Sequence, residues 1–184
     1  MSSLRITALS LVGLVASCGS DSTPPAADVA CTSPSLVDLH AFVALGPSDD
    51  PFTDRLQDAQ CDVAEYGWEL FGGEDSFSVD TGACTYLTAS QLSLVALKAG
   101  DTVRVRVWHT ELKAPVAAEA HMALRLGDEV LLDRRIPIPG PSGLDAPTWT
   151  APKDVPAGTP IAFHIHNHGM NSWSLLEVTR TRCE

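Results

Sequence analysis

Phe163-His164-Ile165-His166-Asn167-His168-Gly169-Met170-Asn171-Ser172-Trp173-Ser174-Leu175-Leu176-Glu177-Val178 holds three of the chain's six histidines, a turn signal and a strand-like run. From Ile161 onward, apolar Ile161, Phe163 and Ile165 alternate with Ala162, His164 and His166. Alternation of period two puts the apolar set on one side of a sheet and the imidazoles on the other. Asn167-His168-Gly169 reads as the bend, and Ser172 to Thr181 as the returning strand. A chain organised around such a stretch is built from strands.

The neighbouring segments agree. Thr102 to His109 alternates cleanly, with Val103, Val105 and Val107 on one face and Arg104, Arg106 and Trp108 on the other. Glu119 to Leu126 sets Met122, Leu124 and Leu126 against His121, Ala123 and Arg125; Gly127-Asp128 then turns the chain into Glu129 to Ile136, a hairpin. Tyr66 to Phe71, Phe77 to Asp80, Cys84 to Thr88 and Leu92 to Leu97 read as further strands, and Ser35 to Leu45 as the first. Pro137 to Pro152 carries five prolines and reads as a long loop holding Trp149. Thr53 to Glu65 is the one helical candidate: Thr53 can cap it, and Leu56, Ala59 and Val63 recur at helical spacing. Many short strands between Gly/Pro turns predict an all-β fold, an antiparallel β-sandwich of jelly-roll type. The order of a GDTVRVRVWH strand, a hairpin, a Pro-rich loop, AGTPIAFHIHN and a closing NSWSLLEV is similar to galactose-binding-like jelly-roll domains. That class includes many carbohydrate-binding modules. The likeness is one of layout, over residues 79–182.

The chain has 184 residues, 12 basic and 23 acidic, for a net charge of −11. It lacks the clustered Lys and Arg that phosphate neutralisation needs, which argues against a nucleic-acid partner. The N-terminus carries an address. Arg5 precedes an apolar run from Ile6 to Ala16, too short for a permanent span, ending in Val15-Ala16-Ser17-Cys18. This pattern resembles the bacterial lipobox. The resemblance implies a signal peptide over 1–17, acylation of Cys18 (diacylglycerol and palmitate-class chains), and a membrane partner through that anchor. It further implies a place in the bacterial cell envelope, at the outer membrane since no Asp follows the cysteine. Residues 18–30 then form the lipidated Cys and a flexible tether, too polar and Pro-rich to fold. Residues 31–184 form the sandwich domain.

Four cysteines remain: Cys31, Cys61, Cys84 and Cys183. An even count in an exported chain implies two disulfides, with three possible connectivities. Termini that lie close together, as in sandwich folds, favour Cys31–Cys183, which leaves Cys61–Cys84.

Two constellations carry chemistry. His164, His166 and His168 fall at i, i+2, i+4, with imidazoles roughly 6–7 Å apart along a strand, a spacing one metal ion can bridge. His109 or His121 would add a ligand if their strands lie alongside. Such a set suits Zn²⁺ or Cu²⁺, with Met170 as a soft ligand for copper. The second constellation is Trp108 beside Arg104 and Arg106, with Trp149 in the loop, an arrangement suited to stacking a sugar and bonding its hydroxyls, to which His164 and His166 are added as ligand-binding candidates on their strand's outward face. Asp49-Asp50 and Glu74-Asp75 are loop acids that could hold a structural Ca²⁺. No GxSxG, HExxH or Gly-rich phosphate loop is present, so an enzyme is not expected. The expected function is a lipid-anchored envelope module binding a glycan or another envelope ligand or protein. The alternatives are a metal-binding protein using the His164/His166/His168 strand, and a structural lipoprotein.

Overall fold

Alternation along a strand is only useful if both faces find partners, and here they do. The computed structural model describes residues 31–183; the expectations for the signal peptide, the acylated Cys18 and the tether lie outside the described residues. The strands, in chain order, are β1 (Cys31–Thr32), β2 (Val43–Ala44), β3 (Tyr66–Phe71), β4 (Glu74–Asp80), β5 (Tyr86–Leu92), β6 (Thr102–His109) and β7 (Ala118–Leu126). There follow β8 (Glu129–Ile138), β9 (Gly143–Asp145), β10 (Thr148–Thr150), β11 (Pro160–His166) and β12 (Ser172–Cys183). They form two antiparallel sheets. The first runs β10-β6-β12-β4-β3, with β1 also on β12 and β9 also on β6; the second runs β2-β5-β11-β7-β8. From β4 onward the chain passes back and forth between the sheets, with β7 and β8 together in the second and β9 and β10 both on the first. This is the all-β antiparallel sandwich that the alternation implied.

The core lies between the inner faces. Val103, Val105 and Val107 of β6 are fully buried, as are Trp173, Leu175 and Val178 of β12. Facing them are Met122, Leu124, Phe163 and Ile165 of the second sheet. Phe77 and Phe163 meet edge-on across the gap at 6.3 Å. Each such side chain contributes about 1.5–3 kcal/mol by leaving water.

Four expectations are corrected. Thr53 to Glu65 is not a helix: only Val63–Glu65 forms a 3₁₀ turn, capped by Asp62. Its helically spaced apolar residues have nothing to pack on, Val63 being 74% exposed. The turn acids claim the backbone instead, as where the Asp50 carboxylate accepts from Phe52 N at 3.0 Å. Ser35 to Leu45 is mostly irregular, because Asp38 accepts from His40 N and turns the chain. Leu92 to Leu97 is not a strand either; β5 ends at Leu92, and Leu97 only bridges Val155. The Pro-rich segment is not all loop, since β9 and β10 dock on the β6 edge at Val107–His109 and Thr102–Arg104.

A disulfide joins Cys61 to Cys84. Cys31 stands opposite Cys183 in the β1–β12 register, the position their expected pairing requires.

The bend of the opening stretch is knit by side chains. Asn167 Nδ2 donates to Thr81 Oγ1 at 2.6 Å, and Asn171 both accepts from Lys113 N at 2.7 Å and donates to Lys113 O at 3.1 Å. Gly169 has φ +91°, and a Cβ there would stand 2.1 Å from the Lys113 carbonyl oxygen. Gly158 also has positive φ, +81°, but open space around it. Gly169→Ala is therefore expected to cost several kcal/mol, roughly 2–4, and Gly158→Ala only about 1 kcal/mol, measured as urea midpoints. Equal losses would show that the backbone at Gly169 moves aside.

Candidate functional site

The polar face of β11 does not meet solvent. The segment between β2 and Cys61 crosses it as an irregular strap. One end of the strap is held by Leu45 N donating to Thr88 O at 2.8 Å, the other by the Cys61–Cys84 disulfide. Phe52 of the strap stacks on the His164 ring at 4.3 Å, and Arg55 lies over the Tyr86 ring at 4.8 Å.

Two carboxylates come down from the strap. The Asp50 side chain, 1% exposed, accepts from Arg55 Nη1 at 3.0 Å, from Tyr86 Oη at 2.8 Å and from Thr88 Oγ1 at 3.0 Å. Tyr86 is thereby held protonated: burial first, then the hydrogen bond to Asp50, raises its pKa. Thr88 has one hydroxyl proton, and it goes to Asp50. The Thr88 oxygen, 3.0 Å from His164 Nδ1, must then accept from that nitrogen. His164 is fixed as the Nδ1–H tautomer, with a lone pair on Nε2.

Nε2 lies close to the second carboxylate. His164 is 0% exposed, and its Nε2 stands 3.5 Å from Asp54 Oδ1. Neither atom has a hydrogen-bond partner among the described residues. The other oxygen, Asp54 Oδ2, lies 2.7 Å from His121 Nδ1 and 3.3 Å from His166 Nδ1. His121 Nε2 stands 3.3 Å from Asp133 Oδ1, in a direction unsuited to a hydrogen bond. Asp54, His121 and His164 each offer a donor atom within 4.8 Å of the others.

Strand parity thus brings His164 and His166 together, and β7, the neighbour of β11, delivers His121 opposite His166 in register. Three other expected ligands lie elsewhere. β11 ends at His166, so His168 falls on the exposed turn, in an open cleft of about 420 Å³ with Leu56, Asp58 and Thr85. His109 belongs to the other sheet, where it packs on Trp173 at 4.9 Å and donates its Nδ1–H to Thr110 O at 2.9 Å. Met170 is 83% exposed and packs beside Gly82 instead, so the copper reading loses its soft ligand. Asp54 had no local signal in the sequence, since its partners stand 67 and 112 positions away. The loop acids are engaged as well: Asp50 by the groups above, Glu74 by Arg106, Asp75 by Trp68 Nε1.

The stacking residues divide between faces. Arg104, Arg106 and Trp108 share the outer face of the first sheet. Trp108 packs on Phe71 at 4.5 Å, and Arg106 reaches Glu177 at 3.5 Å and Glu74 at 3.4 Å. Trp149 is opposite Val103 in register, so it turns inward against the core and cannot share a platform with Trp108. Trp68, at the sheet edge, is 46% exposed and stacks on His40 at 4.6 Å.

No protein-family model and no curated protein matches the chain. Its structure is similar to carbohydrate-binding modules. One is the structure titled "CBM4 structure and function", at 16% identity over 64% of this chain and 89% of that one, with a TM-score of 0.39. A second is a Family 16 Carbohydrate Binding Module-2, at 13% identity over 63% of this chain and 84% of that one, TM-score 0.40. A third is TmCBM61 in complex with beta-1,4-galactotriose, at 17% identity over 67% and 85%, TM-score 0.40. Similarity at this level carries no residue across.

The buried cluster makes stability sensitive to acid. Burial lowers the His164 pKa from 6.5 to about 4, although Asp54 and Asp50 pull it upward. Burial alone would raise the Asp54 carboxyl, but the His121 hydrogen bond, the His164 charge and the His166 hydrogen bond outweigh it and hold it at about 2. The unfolded chain therefore takes up a proton on histidine between pH 6.5 and 4 that the fold refuses, and stability falls as pH drops through that window. Asp54 adds a further loss between pH 3.8 and 2. With chelator present, the unfolding free energy from urea titration is expected to fall between pH 6.5 and 4.5 by an amount on the order of 2 kcal/mol, and His164→Gln to flatten that slope. An unchanged slope in the variant would assign the acid sensitivity to other groups.

Proposed function

We propose that this chain is a binding module of jelly-roll type, not an enzyme. In this reading it is held on the bacterial envelope by an acylated Cys18 and takes a glycan on the outer face of its first sheet. The observation that carries the reading is the Trp108–Phe71 pair beside Arg104, Arg106, Glu74 and Glu177. Leu144, opposite Trp108 in register and half exposed, extends the apolar strip. A pyranose presents an apolar face that stacks on an indole and a rim of hydroxyls that needs donors and acceptors at its edge. The surrounding ion pairs suit the second task. Arg104 and Glu74 are largely exposed, and surface pairs of this kind contribute little, so they exchange partners at small cost.

Binding is read by affinity electrophoresis against a panel of soluble polysaccharides. The expected result is retardation in at least one polysaccharide, weakened about tenfold or more by Trp108→Ala and by Arg106→Ala, and left intact by Trp149→Ala. Retardation that persists in Trp108→Ala would move the site off this face, and no retardation in any polysaccharide would remove the glycan reading. The anchor has its own measurement. An alkyne fatty acid fed to expressing cells should label the chain, and Cys18→Ser should abolish the label.

A further inference from the structure

We infer that Asp54, His121 and His164 form a binding site for one zinc-class divalent cation, which clasps the strap onto the second sheet. This goes beyond the glycan reading and does not rest on it. The central observation is a confrontation of acceptors. His164 Nε2 carries a lone pair, because Nδ1 is committed to Thr88 and Thr88 to Asp50. It faces Asp54 Oδ1 at 3.5 Å, and both atoms are buried without a hydrogen-bond partner among the described residues. Two such atoms left facing each other are costly unless something positive lies between them.

The separation fits a metal. Zinc–nitrogen and zinc–carboxylate bonds of about 2.0–2.1 Å at tetrahedral angles put neighbouring donor atoms roughly 3.3 Å apart. The three candidate donors already lie within 4.8 Å of one another. His121 Nδ1 now shares a proton with Asp54 Oδ2 at 2.7 Å. Cation binding displaces that proton and moves the N–H to His121 Nε2, 3.3 Å from Asp133 Oδ1, which a rotation of the exposed Asp133 side chain would bring into line. A ligating imidazole with its second nitrogen on a carboxylate is the usual supporting arrangement. His164 has the same support, relayed through Thr88 to Asp50. His166, 3.3 Å from Asp54 Oδ2, steadies the carboxylate from its free side. Three protein donors leave one position for water. Two imidazoles and a carboxylate select zinc-like ions over Mg²⁺ and Ca²⁺, which prefer all-oxygen sets.

The test uses the full chain without a histidine tag, stripped with chelator and titrated with Zn²⁺ or Mg²⁺. The expected result is one saturable Zn²⁺ per chain, a melting temperature raised by roughly 5–10 °C at hundredfold excess over Kd, and no response to Mg²⁺. Asp54→Asn and His164→Gln should each weaken binding at least tenfold, and His109→Gln, a buried histidine of the other sheet, should not. X-ray absorption of the zinc-loaded wild type reads imidazole and oxygen neighbours without any substitution, so a variant that fails to fold does not void the test. Absence of stoichiometric zinc, unchanged affinity in both Asp54→Asn and His164→Gln, or a shell without two imidazoles would each overturn the assignment. Glycan retardation unchanged by chelator would leave the sheet-face reading standing whatever the zinc result.

Discussion

The strand β11 has to satisfy two incompatible environments at once, and the rest of the domain is arranged around that demand. Phe163 and Ile165 enter the core while His164 and His166 enter a polar chamber on the opposite side. A slip of one residue would exchange the sets and send two imidazoles into hydrocarbon. Register is therefore fixed from both faces. β5 and β7 hold β11 along its length, from Pro160–Leu92 to His166–Tyr86 and from Ile161–Leu126 to His166–His121. The strap depends on this register, because Thr88 and Tyr86, its anchors for Asp50, stand opposite His164 and His166.

The two outer faces of the sandwich have different fates. The second sheet's outer face is covered by the chain's own strap and carries buried, hydrogen-bonded polar groups. The first sheet's outer face keeps exposed charges and an aromatic pair. Between its strands runs a chain of hydroxyls, Ser76 to Ser78 at 3.1 Å and Ser78 to Ser174 at 2.9 Å, which lets small polar residues sit buried beneath the larger side chains. A covered face favours fixed geometry, and an open one favours exchange with a ligand.

What could be read from the sequence was whatever depended on near neighbours. Strand parity at Thr102–His109 and Ile161–His166, the Gly127-Asp128 hairpin and the Gly169 bend are all decided within a few residues, and each formed. The strap was not legible, because Asp50 and Asp54 are specified by Tyr86, Thr88, His121 and His164, all far along the chain. Helical spacing at Leu56, Ala59 and Val63 misled for the same reason: a periodic stripe needs a surface to meet, and none is offered. Trp149 was misjudged because three residues inside a Pro-rich segment pair with β6, and pairing, not composition, chooses the side on which a side chain emerges. His121 was legible only as a condition on which strands lie alongside, and the β7–β11 pairing met that condition.

The Cys61–Cys84 bond acquires a second meaning from its place at the end of the strap. It closes a loop whose other end is held by β2 on β5, so Asp54 is carried on a short tether with both ends fixed to the sheet that bears the histidines. Tethering of this kind presents a group at an effective concentration in the mM range or above, without any new contact. The thiol pair thus sets how strongly a lone carboxylate competes for the imidazoles, and the oxidation state of the compartment becomes a determinant of the chemistry under the strap.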